Sequence, residues 1–143
     1  MTGIYNLGDA AIAQAVTDLI ITEGVSTSGT PQALIDRLEG MSAVSLQASL
    51  VYGSGGTACI VIVQTSLDQG QSWIDVARFD FAQASAKKIA NVSAAVAAAP
   101  MAVAALGAEG KLDGILGDRL RARVTSTGSY GGNTSISVRA AVR

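Results

Sequence analysis

The sequence predicts an all-β protein built of short antiparallel strands that close as a sandwich or a barrel. Three observations predict it. Turn signals recur along the chain, at Gly53-Ser54-Gly55-Gly56, Asp68-Gln69-Gly70, Asp113-Gly114 and Gly131-Gly132-Asn133. Between them lie short runs rich in β-branched residues. Several of those runs alternate apolar and polar side chains with period two, the signature of a strand with one buried face. With 143 residues the chain fits one domain and buries a core without disulfide or metal staples.

Ala43 to Tyr52 is the clearest strand. Val44, Leu46, Ala48, Leu50 and Tyr52 point one way, and Ser45, Gln47 and Ser49 the other. Thr57 to Thr65 is apolar on both faces, as expected of a central strand or one with a covered outer face. Trp73 to Phe81 and Ala86 to Ser93 follow as strands. Arg119 to Ser126 and Ser135 to Val142 read as a C-terminal pair joined by the turn-rich segment Thr127 to Asn133, with Ile136, Val138, Ala140 and Val142 on one face. Asp9 to Ile20 admits two readings. One is a short helix capped by Asp9, with Ile12, Val16 and Leu19 on one face; the other is an extended arm or strand running to Thr22. Glu23 to Thr30 reads as a loop and Leu34 to Leu38 as a short strand. Ala94 to Leu106 reads as helix or strand, with Pro100 against one unbroken helix. The organisation expected is an N-terminal arm over residues 1–30 and a β-sandwich domain over 31–143.

Composition narrows the function. Charged residues make up 15% of the chain, below the usual share of about 25%. So uncharged a surface is expected to be covered in part by further copies or by a partner. The net charge of -1 speaks against nucleic acid, whose phosphates call for a basic excess. The chain has no histidine, the commonest general base and metal ligand, so no catalytic, cofactor or metal residues are assigned and the expectation is a non-enzyme. The one cysteine, Cys59, sits in an apolar run and reads as a small buried hydrophobe. No leader pattern is visible at Met1-Thr2-Gly3. The uncharged stretch Ile89 to Ala108 is alanine-rich and broken by Pro100, which argues against a membrane span.

Two motifs stand out. Ser66-Leu67-Asp68-Gln69-Gly70-Gln71-Ser72-Trp73 matches the Asp-box, S-x-D-x-G-x-[ST]-W. Its physics is that of a hairpin turn. Asp68 accepts backbone hydrogen bonds, Gly70 takes a positive φ, and Trp73 packs back over the turn. The motif implies a fold element, centred on Ser66, Asp68, Gly70 and Trp73, and no chemistry. A calcium ion at Asp68 would need more oxygen ligands, and Asp75 and Asp80 are expected on opposite faces of their strand. The second motif is Arg119, Arg121 and Arg123, which alternation places on one strand face. Arg139 joins them if the C-terminal strands pair. The stripe is either a solvated face paired with Asp113 or Asp118, or a docking surface for an acidic protein.

From about Leu50 to Arg143 the chain resembles a family of small virion proteins of tailed phages and prophages. Tyr52-Gly53-Ser54-Gly55-Gly56-Thr57, Gln64 through Asp75, Phe79 to Lys88, Asp113 to Arg121 and Thr125 to Tyr130 carry the resemblance. It implies a virion structural protein of jelly-roll or related sandwich type. The fold expected is therefore an antiparallel, jelly-roll-like β-sandwich with an N-terminal arm or short helix. The leading functional expectation is a capsid decoration (cement) protein on the major capsid protein. It would form a homo-oligomer, a trimer before other states, and reside in the virion after assembly in the host cytoplasm. Neither nucleic acid nor membrane is expected as a partner. The alternatives are a neck, tail or fibre-attachment protein binding other virion proteins, and a carbohydrate-binding sandwich using exposed aromatics.

Overall fold

A computed structural model describes residues 3–22, 38 and 40–143. The expected loop over 23–30 and nearly all of the expected strand over 34–38 lie outside them. Every regular element among the described residues is a β-strand: β1 (Gly3–Ala11), β2 (Leu19–Ile20), β3 (Ala43–Val51), β4 (Ser54–Gly55), β5 (Ala58–Ser66), β6 (Ile74–Phe81), β7 (Ala86–Ser93), β8 (Arg119–Thr127), β9 (Tyr130–Gly131) and β10 (Ser135–Val142).

The eight principal strands form two antiparallel four-stranded sheets. The first has the order β1-β10-β3-β7 and the second β2-β8-β5-β6; β4 and β9 make a small ribbon at one end. Consecutive principal strands mostly alternate between sheets, and the last strand lies between the first and third. This is the double Greek key order of a jelly roll. Both sheets point one apolar face inward. Val44, Leu46 and Leu50 meet Val61, Val63, Phe79, Leu120 and Val124 across the core, and Ile136 and Val138 fill its centre. Cys59 is fully buried among them, and burial pushes its thiol up to about 11. β5 lies between β8 and β6, and its outward Ile60 and Ile62 are half-buried among the side chains of those neighbours.

Three expectations are decided. Of the two readings of Asp9 to Ile20, the helical one fails and the strand reading holds in part. Gly3–Ala11 pairs along its length with β10, and Leu19–Ile20 pairs with β8. A bulge between Asn6 and Gly8 shifts the inward phase from Tyr5 and Leu7 to Ala10 and Ile12. A side chain at Gly8 is impossible there, since its φ is 131° and a Cβ would lie 2.2 Å from the Ile21 carbonyl oxygen. Thr22 ties the two sheets together at this place, donating to the Leu7 carbonyl at 2.6 Å and accepting from the Ala122 amide at 2.7 Å. Residues 3–22 therefore contribute one strand to each sheet.

The second correction concerns β8 and β10, which are not a hairpin. The chain between them passes through β9 and crosses from one sheet to the other. The third concerns 94–106, which is neither helix nor strand. It leaves β7 as an irregular strap, and residues 107–114 then return along the open side of the sandwich. There Arg78 N–H donates to the Gly110 carbonyl, Leu112 N–H to Val76, and Gly114 N–H to Ser93. That return segment covers the edges of both β6 and β7, where unpaired strands would otherwise invite another chain.

Candidate functional site

The Asp-box residues form the turn before β6 as expected. Ser66 Oγ accepts from Gly70 N–H at 2.8 Å and donates to Asp68 Oδ1 at 2.9 Å. Asp68 Oδ1 also accepts from Ser72 N–H at 2.8 Å, and Asp68 Oδ2 accepts from the Ser72 hydroxyl. These bonds, the Ser72 hydroxyl foremost, hold the Asp68 carboxyl below its usual range. Gly70 takes φ 88°. Trp73 packs back over the turn onto Arg121, whose guanidinium carbon is 4.2 Å from the ring centroid.

That stack belongs to a polar network on the outer face of the second sheet. Arg119, Arg121 and Arg123 stand in a row on β8, opposite Ser66, Gln64 and Ile62 of β5. Arg121 Nε donates to Gln64 Oε1 at 2.7 Å, and Gln64 Nε2 donates to Asp75 Oδ1 at 2.6 Å. Arg123 donates to Asp18 Oδ1 at 2.7 Å and has Asp75 Oδ2 at 3.7 Å. Arg119 lies 3.6 Å from Asp118. The three arginines thus face three aspartates and a glutamine of their own chain. Burial pulls the Arg121 pKa down, with the Arg123 charge adding to the effect.

Asp75 and Asp80 were expected on opposite faces, but they share the outer one. A bulge between Val63 and Gln64 in the β5–β6 register leaves Val76 unpaired and turns Asp75 outward. Asp80 is held by Arg78 in a two-point pair at 2.9 Å, which lowers its pKa. Among the described residues no group of three acids or thiols is placed to hold a metal.

Arg139 does not join the stripe. β10 belongs to the first sheet, so Arg139 lies on the opposite outer face of the sandwich. There it makes two bonds to Asp9, at 3.0 and 3.1 Å. That face also carries exposed Lys87, beside Ile89 on β7 and opposite Ser49, and is otherwise neutral and shallow. Ile4 on β1 and Ile89 on β7, each 77% exposed, rim a trough of 610 Å³ floored by Ser45, Gln47 and Ala141. Sequence reading missed this surface because Ile4 and Ile89 are single apolar residues in otherwise polar faces; only the sheet order brings their strands to opposite rims.

The strap is the second uncovered apolar surface. Residues 95–105 are exposed without interruption, with Met101 at 57% and Val103 at 69%. From Val96 to Ala105 the backbone makes no hydrogen bond with another described residue. Beneath the strap lies an apolar cleft of 350 Å³, lined by Leu67, Ile74, Met101, Leu106, Leu112 and Ile115.

No aromatic residue is openly exposed, so no open ring is presented of the kind the carbohydrate-binding alternative would use. Tyr5, Phe79, Phe81 and Tyr130 are buried, Trp73 is half-buried, and half-buried Tyr52 meets Tyr130 edge to face at 6.1 Å. Both tyrosine hydroxyls of that pair donate to carbonyls, of Gly55 and Ala82. The class defined by these features is a jelly-roll domain with two uncovered apolar surfaces. Comparison with protein-family models, curated proteins and solved structures finds no match.

Proposed function

We propose that this chain is a structural protein of a tailed-phage virion, a decoration protein that sits on the major capsid protein as a homo-oligomer. The observation that carries the reading is the contrast between polar groups largely bonded within the chain and apolar ones left uncovered. Arg121 and Arg123 are bonded to Gln64 and Asp18, although Arg119 Nε and Arg123 Nε are buried without a partner among the described residues, while Ile4, Ile89, Met101 and Val103 stand in water. Apolar surface of that kind marks contact with other proteins. The jelly roll is used by capsid proteins and by lectins, so the fold alone does not choose between them. Support for the virion reading over a sugar-binding one comes from the aromatic residues: a sugar platform needs an open ring, and Trp73 stacks on Arg121. The docking surface in this reading is the first-sheet face, with Ile4 and Ile89 at its rims, and the strap, with the arginine row holding its own sheet together.

The test is sedimentation of the purified protein with capsids that lack it. Co-migration at a fixed copy number supports decoration. Free protein at the top of the gradient removes it, and labelling on intact particles then distinguishes a neck or tail position.

A further inference from the structure

We propose that the strap is a proteolytic processing site, cut at Met101–Ala102 by an endopeptidase of the elastase kind, and that the two pieces remain one folded domain. This goes beyond the docking reading above and does not rest on it.

A protease takes its substrate as an extended chain freed from the rest of the fold. The strap already has that form. Residues 95–105 are exposed without interruption, and from Val96 to Ala105 no backbone group bonds to another described residue. A protease cleft grips about four residues on either side of the bond it cuts. The bonds with that much exposed chain around them are Ala98–Ala99, Ala99–Pro100, Pro100–Met101 and Met101–Ala102.

Pro100 selects among them. The substrate pairs with the protease as an added strand, through alternate residues: the one before the cut, the second before that, and the second after it. A cut at Ala98–Ala99 or at Pro100–Met101 makes Pro100 one of these, and it has no N–H to give. Ala99–Pro100 is itself a tertiary amide. A cut at Met101–Ala102 puts Pro100 at an unpaired place and leaves Ala99, Met101 and Val103 to bond, with Ala99 held extended by the proline after it. The unbranched Met101 side chain, 57% exposed, suits a small apolar primary pocket. Between Lys88 and Lys111 there is no lysine or arginine, so a trypsin-like enzyme has no target there.

In the cut, water adds across the amide. The Met101 carbonyl carbon takes the oxygen and ends as a carboxylate, and the Ala102 nitrogen leaves as an ammonium group. Both stubs are tied down short of it. Ser93 N–H donates to Asp113 Oδ1 at 2.9 Å and Ala94 N–H to the Ser42 carbonyl at 2.8 Å, while Arg78 Nη1 donates to the Leu106 carbonyl at 3.0 Å. The piece 102–143 carries an inner strand of each sheet, β8 between β2 and β5 and β10 between β1 and β3. Its Leu120, Val124, Ile136 and Val138 are fully buried in the common core. The cut therefore severs a segment that holds nothing, and burial keeps the pieces together. It also places two charged ends in the stretch Ile89 to Ala108, which has no charge of its own.

The experiment is limited elastase digestion of the native full chain, read by intact mass, size-exclusion chromatography and circular dichroism. Within residues 40–143 the first cut is expected at Met101–Ala102, and both pieces are expected to elute together at the position of the uncut protein with its circular dichroism unchanged. Ala102→Pro removes the N–H from the cut bond and is expected to slow loss of the uncut chain about tenfold or more. Ala102 is exposed, so the fold is retained and is checked by circular dichroism; Met101→Asp, which puts a charge into the primary pocket, takes its place if that check fails. A first cut elsewhere in 40–143, pieces that part or unfold without denaturant, or a folded variant cut at the parent rate overturns the proposal. Protein cut equally fast when bound to capsids leaves the site standing and removes the strap from the docking surface.

Discussion

The outer face of the second sheet and the outer face of the first follow the same period-two rule and reach opposite ends. On the second, Arg121, Gln64, Asp75, Arg123 and Asp18 form one continuous run of bonds drawn from β8, β5, β6 and the segment before β2. On the first, most side chains are neutral, one ion pair joins Arg139 to Asp9, Lys87 on β7 is the other charge of that face, and Ile4, Ile89 and Val51 stand uncovered. A polar face whose groups bond mainly to one another contributes to the stability of its own sheet. A face with few such bonds contributes little, and under the proposed function it is the one left for association. The difference teaches that the same alternation can commit its outward positions to an internal network or leave them open.

Breaking the second-sheet network is expected to have the largest effect. Asp75 is nearly buried and accepts from Gln64 while facing Arg123. Asp75→Ala leaves both donors short of an acceptor and should lower stability by ~3 kcal/mol, read as a fall in the urea midpoint. Trp73→Ala removes the ring from Arg121 and is expected to cost ~2 kcal/mol by the same measurement. If instead it changes nothing, the stack is ornamental to the fold and the arginine row regains its claim as a docking surface.

Acid tests the ion pairs of both faces together. Asp9, Asp68, Asp80 and Asp113 all have lowered pKa values, through Ser137, Ser72, Arg78 and the Ser93 amide respectively as the largest causes. As the pH falls, the unfolded chain takes up protons first. The stability these groups contribute is complete above the ordinary carboxyl value of ~4 and drains away as the pH drops through the lower folded values. Thermal melts should therefore be flat from neutrality to about that point and decline below it. The smallest effect is expected on the first-sheet face, where Ile4→Ser and Ile89→Ser should each stay within ~0.5 kcal/mol of the parent monomer. A loss well beyond that would mean the isoleucines serve the fold, and the contrast between faces would fail.

Much of this was legible in the sequence. The strands β3, β5, β6, β7, β8 and β10 announce themselves because alternation is a local property. β1 did not, because the bulge at Gly8 changes its inward phase, and Ile12, Val16 and Leu19 then fall at helical intervals. The same device concealed the outward turn of Asp75. The row of Arg119, Arg121 and Arg123 was readable from spacing alone. Its partners were not: Asp18 lies more than a hundred residues from Arg123 in sequence, and no local pattern reports which strand will lie beside which. For that reason the place of Arg139, on β10 of the first sheet and so on the far side of the molecule, was not legible either.

The strand order carries a consequence for synthesis. β10 separates β1 from β3 and β7 in the first sheet. As the chain leaves the ribosome, β1 emerges early and has no neighbour in its sheet until residues 135–142 follow. Through that interval its backbone is exposed to any other extended chain nearby. The nascent protein is therefore open to misassociation along β1 until β10 has emerged, and a chain stalled upstream of Ser135 would keep that vulnerability permanently.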